Sequence, residues 1–239
     1  EKEIFAQKLV SYLTHLTSRE SESEEYQKNL LKGFLESLLP YNFINTSSRI
    51  DLAIYNGKDS NSTLGVLFEC KSLSNKSEMM TTERINSKAF QEIVAYYLNE
   101  RLFEKNLEVK KCIITNGRSW FVIEAKEFEK HFFKNKKLID LVTKFKNNQL
   151  SSNKTDFLYS EVIAPEIDKA IEKGIVIAHF DLTQALIKSS KAIEIKKNNL
   201  TQLYRFFTAE NLLNKEIFTD SNKLNKNFYD ELLYLMGLE

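Results

Sequence analysis

Residues 49–55 alternate between apolar and polar. Ile50, Leu52 and Ile54 fall on one face of an extended chain, and Arg49, Asp51 and Ala53 on the other. That period of two predicts a half-buried strand. Residues 63–71 form a mostly apolar run of strand length, so they predict a second. Asn56-Gly57 opens the polar connection between them with a dipeptide that tolerates positive φ. The pair reads as a β-hairpin with a long tip.

Elsewhere the spacing is helical. Phe5, Leu9, Tyr12, Leu13 and Leu16 make one stripe over residues 3–17. Ser21 followed by Glu24 has the form of a capping box for a second helix. Its face carries Leu30, Leu31, Phe34, Leu35 and Leu38, and it stops before Pro40. A short strand is expected at 41–46. The clearest long helix spans 85–105, with Phe90, Ile93, Val94, Tyr97 and Leu98 on one face. Strands follow at 109–115 and 120–124, separated by the turn signal Asn116-Gly117.

From 125 onward the pattern predicts helices at 125–133, 136–145, 161–173 and 227–236. Pro165 lies near the start of the third, and Gly174 stops it. Residues 175–181 read as an added edge strand, and 183–213 as one or two helices. The fold class expected is α/β (α+β): a mixed central sheet flanked by helices, then a mostly helical C-terminal region. The division falls between 1–125 and 126–239, with the core proper at 20–125.

Composition narrows the function. The 239 residues carry a formal net charge of +1, so no global basic field announces nucleic acid. No stretch approaches the roughly 18 apolar residues of a membrane span, and no signal peptide opens the chain. Two Cys in predicted buried strands read as free thiols of a reducing compartment, which points to a cytoplasmic protein. With three scattered His they give no zinc spacing. No Gly-rich phosphate loop appears. The first residue is Glu1, not Met, so a piece of a longer polypeptide is expected.

The candidate chemistry lies at the strand ends. Glu69 and Lys71 are two apart and share a face, while Cys70 turns to the other. Antiparallel pairing brings Asp51 near them. Two carboxylates suit a hard divalent cation such as Mg²⁺. A lysine there orients a water or helps deprotonate it, and the metal neutralises phosphate charge. Together these are the parts needed to hydrolyse a phosphodiester. The polar loop 72–83 borders this site. Its Lys76, with Lys88 beyond, is a DNA-contact candidate. Lys126, Lys130, Lys134, Lys136, Lys137, Lys144 and Lys146 crowd the next region and read as a solvated surface. Lys196, Lys197 and Arg205 beside Tyr204 mix charge with an aromatic and make the better DNA-contact run.

Asp51 followed by Glu69-Cys70-Lys71 resembles the signature of the PD-(D/E)xK nuclease superfamily, with Ile50 in place of its Pro. The resemblance implies a restriction-endonuclease-like core. It implies Asp51 and Glu69 as ligands of Mg²⁺ or Mn²⁺, the Cys70 carbonyl as an extra ligand, and Lys71 beside the attacking water. It also implies a carboxylate from the preceding helix, Glu24 with Glu25 behind it, although Glu24 as a simple helix cap is an equal reading. Gln91 is the implied site residue on the long helix, where Ala95 departs from the Tyr that often follows. Residues 22–30, 43–46, 75–79, 88–101, 113–125 and 229–239 are similar, more narrowly, to the N-terminal nuclease region of type IIG restriction-modification enzymes. Those enzymes fuse a nuclease, a helical connector and an adenine methyltransferase. The resemblance therefore implies a site-specific endonuclease acting on double-stranded DNA. S-adenosylmethionine would serve only the methyltransferase, which together with the target-recognition domain lies outside this chain. One such site cuts one strand, so a homodimer on DNA is a further expectation. Two rival readings stand beside this one: a non-catalytic DNA-binding or scaffold module with the same fold, and a stand-alone repair nuclease.

Overall fold

A computed structural model describes residues 1–47, 50–188 and 193–214. The expected helix at 227–236 lies outside the described residues, as do Arg49 and the side chain of Lys197.

The hairpin forms as the alternation requires. Strand β2 (Ile50–Tyr55) pairs antiparallel with β3 (Leu64–Cys70) in a register that sets Leu52 opposite Phe68. β1 (Ile44–Ser47) pairs antiparallel with the outer side of β2. The chain then crosses the sheet through helix α3 (Lys88–Leu102) and returns as β4 (Lys111–Thr115), parallel to β3. A parallel neighbour needs such a crossover, because a tight turn reverses direction. β5 (Ser119–Glu124) follows through the Asn116-Gly117 turn, and β6 (Ala178–Asp181) closes the sheet as its edge. The six strands lie in sequence order. Gly117 has φ +84°, and any Cβ there would run into Tyr12 and Leu16, so the turn needs glycine.

Helices cover both faces. Helices α1 (Lys2–Ser18) and α2 (Glu24–Leu38) pack with Leu52, Val66, Phe68 and Trp120 on one side. α3 packs with Ala53, Leu67, Cys112 and Ile114 on the other. Successive β3 residues therefore enter different cores, as strand geometry dictates. The second core is completed by α4 (Ala125–Phe128) with the π-helical turn Glu129–Phe133, α5 (Lys136–Lys146), and a helical run. That run comprises α6 (Thr155–Phe157), a π-helical segment (Leu158–Ile163) and α7 (Ala164–Glu172). The mixed six-strand sheet with flanking helices is an α/β fold. Both cores draw residues from either side of the 125/126 division. Among the described residues no helix is long and apolar enough to cross a membrane. Both cysteines are free and buried.

Several boundaries differ from the sequence reading. The α2 cap is Ser23, whose Oγ accepts from the Tyr26 N–H at 3.2 Å, so the Ser21–Glu24 box does not form. The helix expected at 161–173 begins at Thr155, because its π-helical middle shifts the apolar spacing. Residues 183–213 do not start as helix. A 3₁₀ turn (Leu182–Ala185) leads to the hairpin β7 (Leu186–Lys188) and β8 (Ile193–Ile195), then to α8 (Lys197–Phe206) and α9 (Ala209–Leu212). The loop 72–83 is tied down: Met79 and Met80 are buried, and Arg84 donates to the Met79 carbonyl at 2.9 Å.

Candidate active site

The β2–β3 register carries the first two groups together. Asp51 and Glu69 come one step beyond the last ladder pair, Leu52–Phe68, and the Asp51 charge acts on Glu69. Asp51 Oδ2 accepts the Cys70 N–H at 2.9 Å, so its carboxylate lies against the backbone at the end of β3. Its Oδ1 is 3.5 Å from Lys28 Nζ on α2, which also meets Glu25 at 2.7 Å. Burial pulls the Lys28 ammonium down, but Glu25 and Asp51 outweigh it and hold its pKa above the ordinary value.

Glu69 and Lys71 share a face, and both are buried, at 1% and 7% exposure. Lys71 Nζ lies 2.6 Å from Glu69 Oε1 and 2.6 Å from Glu92 Oε2 of α3. Glu78 Oε2 is 3.8 Å away. One ammonium therefore faces three carboxylates. Burial, then the charges of Asp51 and Glu92, push the Glu69 carboxyl well above its usual range, against the pull of Lys71. Burial acts to lower the Lys71 pKa, yet Glu69 and Glu92 hold it above the ordinary lysine value. Lys71 is thus a cation and a hydrogen-bond donor at neutral pH. Glu69 Oε2 is buried and accepts no hydrogen bond, and its carboxyl–carboxyl contact with Glu92 raises the Glu69 pKa further. Such an orphan carboxylate oxygen is costly unless something of opposite charge reaches it.

Helix α2 fixes the chain as it leaves β3. Glu24 Oε2 accepts the Ser72 N–H at 3.2 Å, and Gln27 Oε1 accepts the Leu73 N–H at 2.9 Å. The Lys71 N–H in turn donates to the Thr115 carbonyl at the end of β4. Glu24 therefore holds the backbone one residue past Lys71.

The remaining candidates separate. Gln91 donates to Asn86 at 3.0 Å, and Asn86 donates to the Ala164 carbonyl and Asp168. Glu92, the next residue, is the α3 side chain that meets the cluster. Lys88 pairs with Glu78 at 2.9 Å, one carboxylate removed from Lys71. Lys76 is exposed in the adjoining loop. Lys196 and Arg205 are exposed at the two ends of α8, which packs by α1. Lys28 and Tyr96 escaped the sequence reading. Burial first, then the charges of Glu69 and Glu92, raises the Tyr96 phenol pKa. The signal for Glu92 and Tyr96 was their i, i+4 spacing, which puts them together on one side of α3.

Asp51, Glu69 and the Cys70 carbonyl would supply the oxygen donors, with the Lys28 and Lys71 ammonium groups against the two carboxylates. Among the described residues no group of three or more His, Cys, Asp or Glu side chains is arranged to hold a metal ion. Two carboxylates and a carbonyl nevertheless suit Mg²⁺, which keeps several waters and takes one or two carboxylates. The Glu69 oxygen that accepts no hydrogen bond and the excess of carboxylates over ammonium groups fit such an ion. No curated protein and no solved structure matches the chain. A family model matches residues 1–220, and the chain belongs to that family, a domain of unknown function (DUF7149).

Proposed function

We propose that this chain is a divalent-cation-dependent endonuclease domain that hydrolyses DNA phosphodiesters, the N-terminal part of a type IIG restriction-modification enzyme. The observation that carries this reading is the buried Glu69 Oε2, which accepts no hydrogen bond, under the charge of Asp51 and beside Lys71. Asp51, Glu69 and the Cys70 carbonyl would hold Mg²⁺ or Mn²⁺. When bound, such an ion supplies charge neutralisation at the phosphate and acidifies water.

The chain's own residues do the rest. Lys71, kept protonated by its neighbours, donates a hydrogen bond; it orients water or a phosphate oxygen and does not act as a general base. Glu92 holds the ammonium at 2.6 Å and positions it. Glu24 and Gln27 fix the backbone after Lys71, which limits how far the ammonium can drift.

The rival reading is a non-catalytic module of the same fold. The closed Lys71 clamp favours it, since a buried ion cluster can be purely structural. Against it stands the surplus of carboxylates, which destabilises a scaffold without return. Calorimetric titration with Mn²⁺, with and without duplex DNA, separates the two. Heat of binding that disappears in Asp51→Ala and Glu69→Ala, with DNA cleavage by the wild type, supports the nuclease. Absence of both binding and cleavage in the presence of DNA overturns it.

A further inference from the structure

We propose a second polyanion-binding surface: a lysine cleft between α5 and α7 that receives the phosphate backbone of duplex DNA. The cleft has a volume of about 590 Å³. Lys130, Lys134, Lys136, Lys137, Lys169 and Lys173 line it, and all six are exposed. Glu166 is the one acidic residue in the lining, and it is already engaged. It accepts from Asn135 Nδ2 and from Lys169 Nζ, both at 2.6 Å. The other five lysines have no ion pair among the described residues. A chain with a net charge of only +1 thus gathers a strongly positive cleft in one place.

Helix electrostatics accounts for part of this. Lys130 and Lys134 end the helical segment that starts at Ala125, and Lys169 and Lys173 end α7. Helix C-termini favour cations. Lys136 and Lys137 are the opposite case. They open α5, whose N-terminal dipole repels a cation. Asn135 caps that helix by accepting the Leu138 N–H, and its carbonyl takes the Ile139 N–H. The Lys136 and Lys137 N–H groups remain available at a helix start, the arrangement that binds phosphate. Folding gains nothing from two lysines there, whereas an anion in the cleft is met by side chains and backbone donors together.

The cleft is tied to the proposed catalytic helix. Asn86, just before α3, donates to the Ala164 carbonyl and Asp168 of α7. One wall of the cleft is therefore anchored to the start of the helix that carries Glu92. The choice of duplex DNA rests on the nuclease reading; the attraction for phosphates does not.

The test measures duplex binding by fluorescence anisotropy in EDTA, where no cleavage is read. The triple variant K134Q/K137Q/K173Q is compared with a control of equal charge, K32Q/K110Q/K144Q, whose lysines sit in ion pairs. The cleft triple should lose more than roughly tenfold in affinity, and its log K against log salt slope should flatten by about 2 to 3. The control should change neither. Single variants K134Q and K173Q, each with about a third of the effect, guard against a misfolded triple. Unchanged affinity and slope would overturn the proposal. Equal losses in the control, or lost binding to anionic vesicles with duplex binding intact, would overturn it as well. Failure of cleavage alone bears on the nuclease reading and leaves this one standing.

Discussion

Lys71 and Lys111 sit at opposite ends of one parallel strand pair, and both are buried, with side-chain exposures of 6% and 5%. Their surroundings differ. Lys111, at the start of β4, meets Glu124 at 2.8 Å and Asn214 at 2.7 Å. That glutamate is 39% exposed, so water shares its charge. One cation, one carboxylate and one amide close the account locally. Lys71, past the end of β3, meets two carboxylates at 2.6 Å and a third at 3.8 Å, and one of the close pair, Glu69, is 1% exposed. Burial of a lysine therefore marks nothing by itself; what distinguishes the Lys71 end is negative charge in excess of its partners. It also lies at the C-terminal end of parallel strands, where α/β sheets place ligands.

The contrast is open to test. Lys71→Ala should produce the largest change. The buried Glu69 and the half-buried Glu92 would lose their counter-charge, costing about 3–5 kcal/mol in urea unfolding, and cleavage in the proposed reaction should be abolished. Cleavage that survives takes the lysine out of the mechanism. Lys111→Met should cost less, about 1–3 kcal/mol, and leave Mn²⁺ binding and cleavage intact. If it matched Lys71→Ala in both respects, the two ends would be equivalent and the contrast would collapse.

Glu69→Gln should act in the reverse direction. The folded-state pKa of Glu69 is raised, so between the ordinary carboxylate range and that raised value the folded chain holds more protons than the unfolded one. Stability then falls as pH rises through that window. Lys71 adds no slope there, because its raised pKa matters only above the ordinary lysine range. Glu69→Gln should therefore be stabilising at pH 8, by about 1 kcal/mol, with less gain at pH 5, while cation binding is lost. Unfolding curves at the two pH values check it; destabilisation at pH 8 would make Glu69 a structural partner like Glu124. Gln91→Ala should be the mildest, within about 1 kcal/mol and with cleavage unchanged, since its amide serves Asn86.

Much of this arrangement was legible in the residues. The alternation through Asp51 and the run ending at Glu69-Cys70-Lys71 specify strand, face and neighbour, because a period of two leaves little freedom. The choice between Gln91 and Glu92 was not legible. Consecutive helical residues differ by about 100°, so Gln91 borders the apolar face while Glu92 turns away from it. Nothing local says which flank borders the strand ends; the crossover to β4 decides it. Ser23 displaced Ser21 as the cap because two serines a residue apart offer the same chemistry. The β7–β8 hairpin was hidden because strands of three residues are too short to show a period.

The N-terminal helix has its own timing. Phe5 packs on Tyr204 and Phe207, with ring centroids 5.7 and 5.9 Å apart, and Lys2 reaches Thr201 across 199 residues of sequence. A ribosome adding about 5–20 residues each second needs roughly 10–40 s to span that distance. Through that interval α1 holds part of its apolar stripe uncovered, with α2 as its early neighbour. Helix α1 is thus made long before it is covered, and a chain stalled before α8 would emerge with the Phe5 face of that helix still seeking a partner.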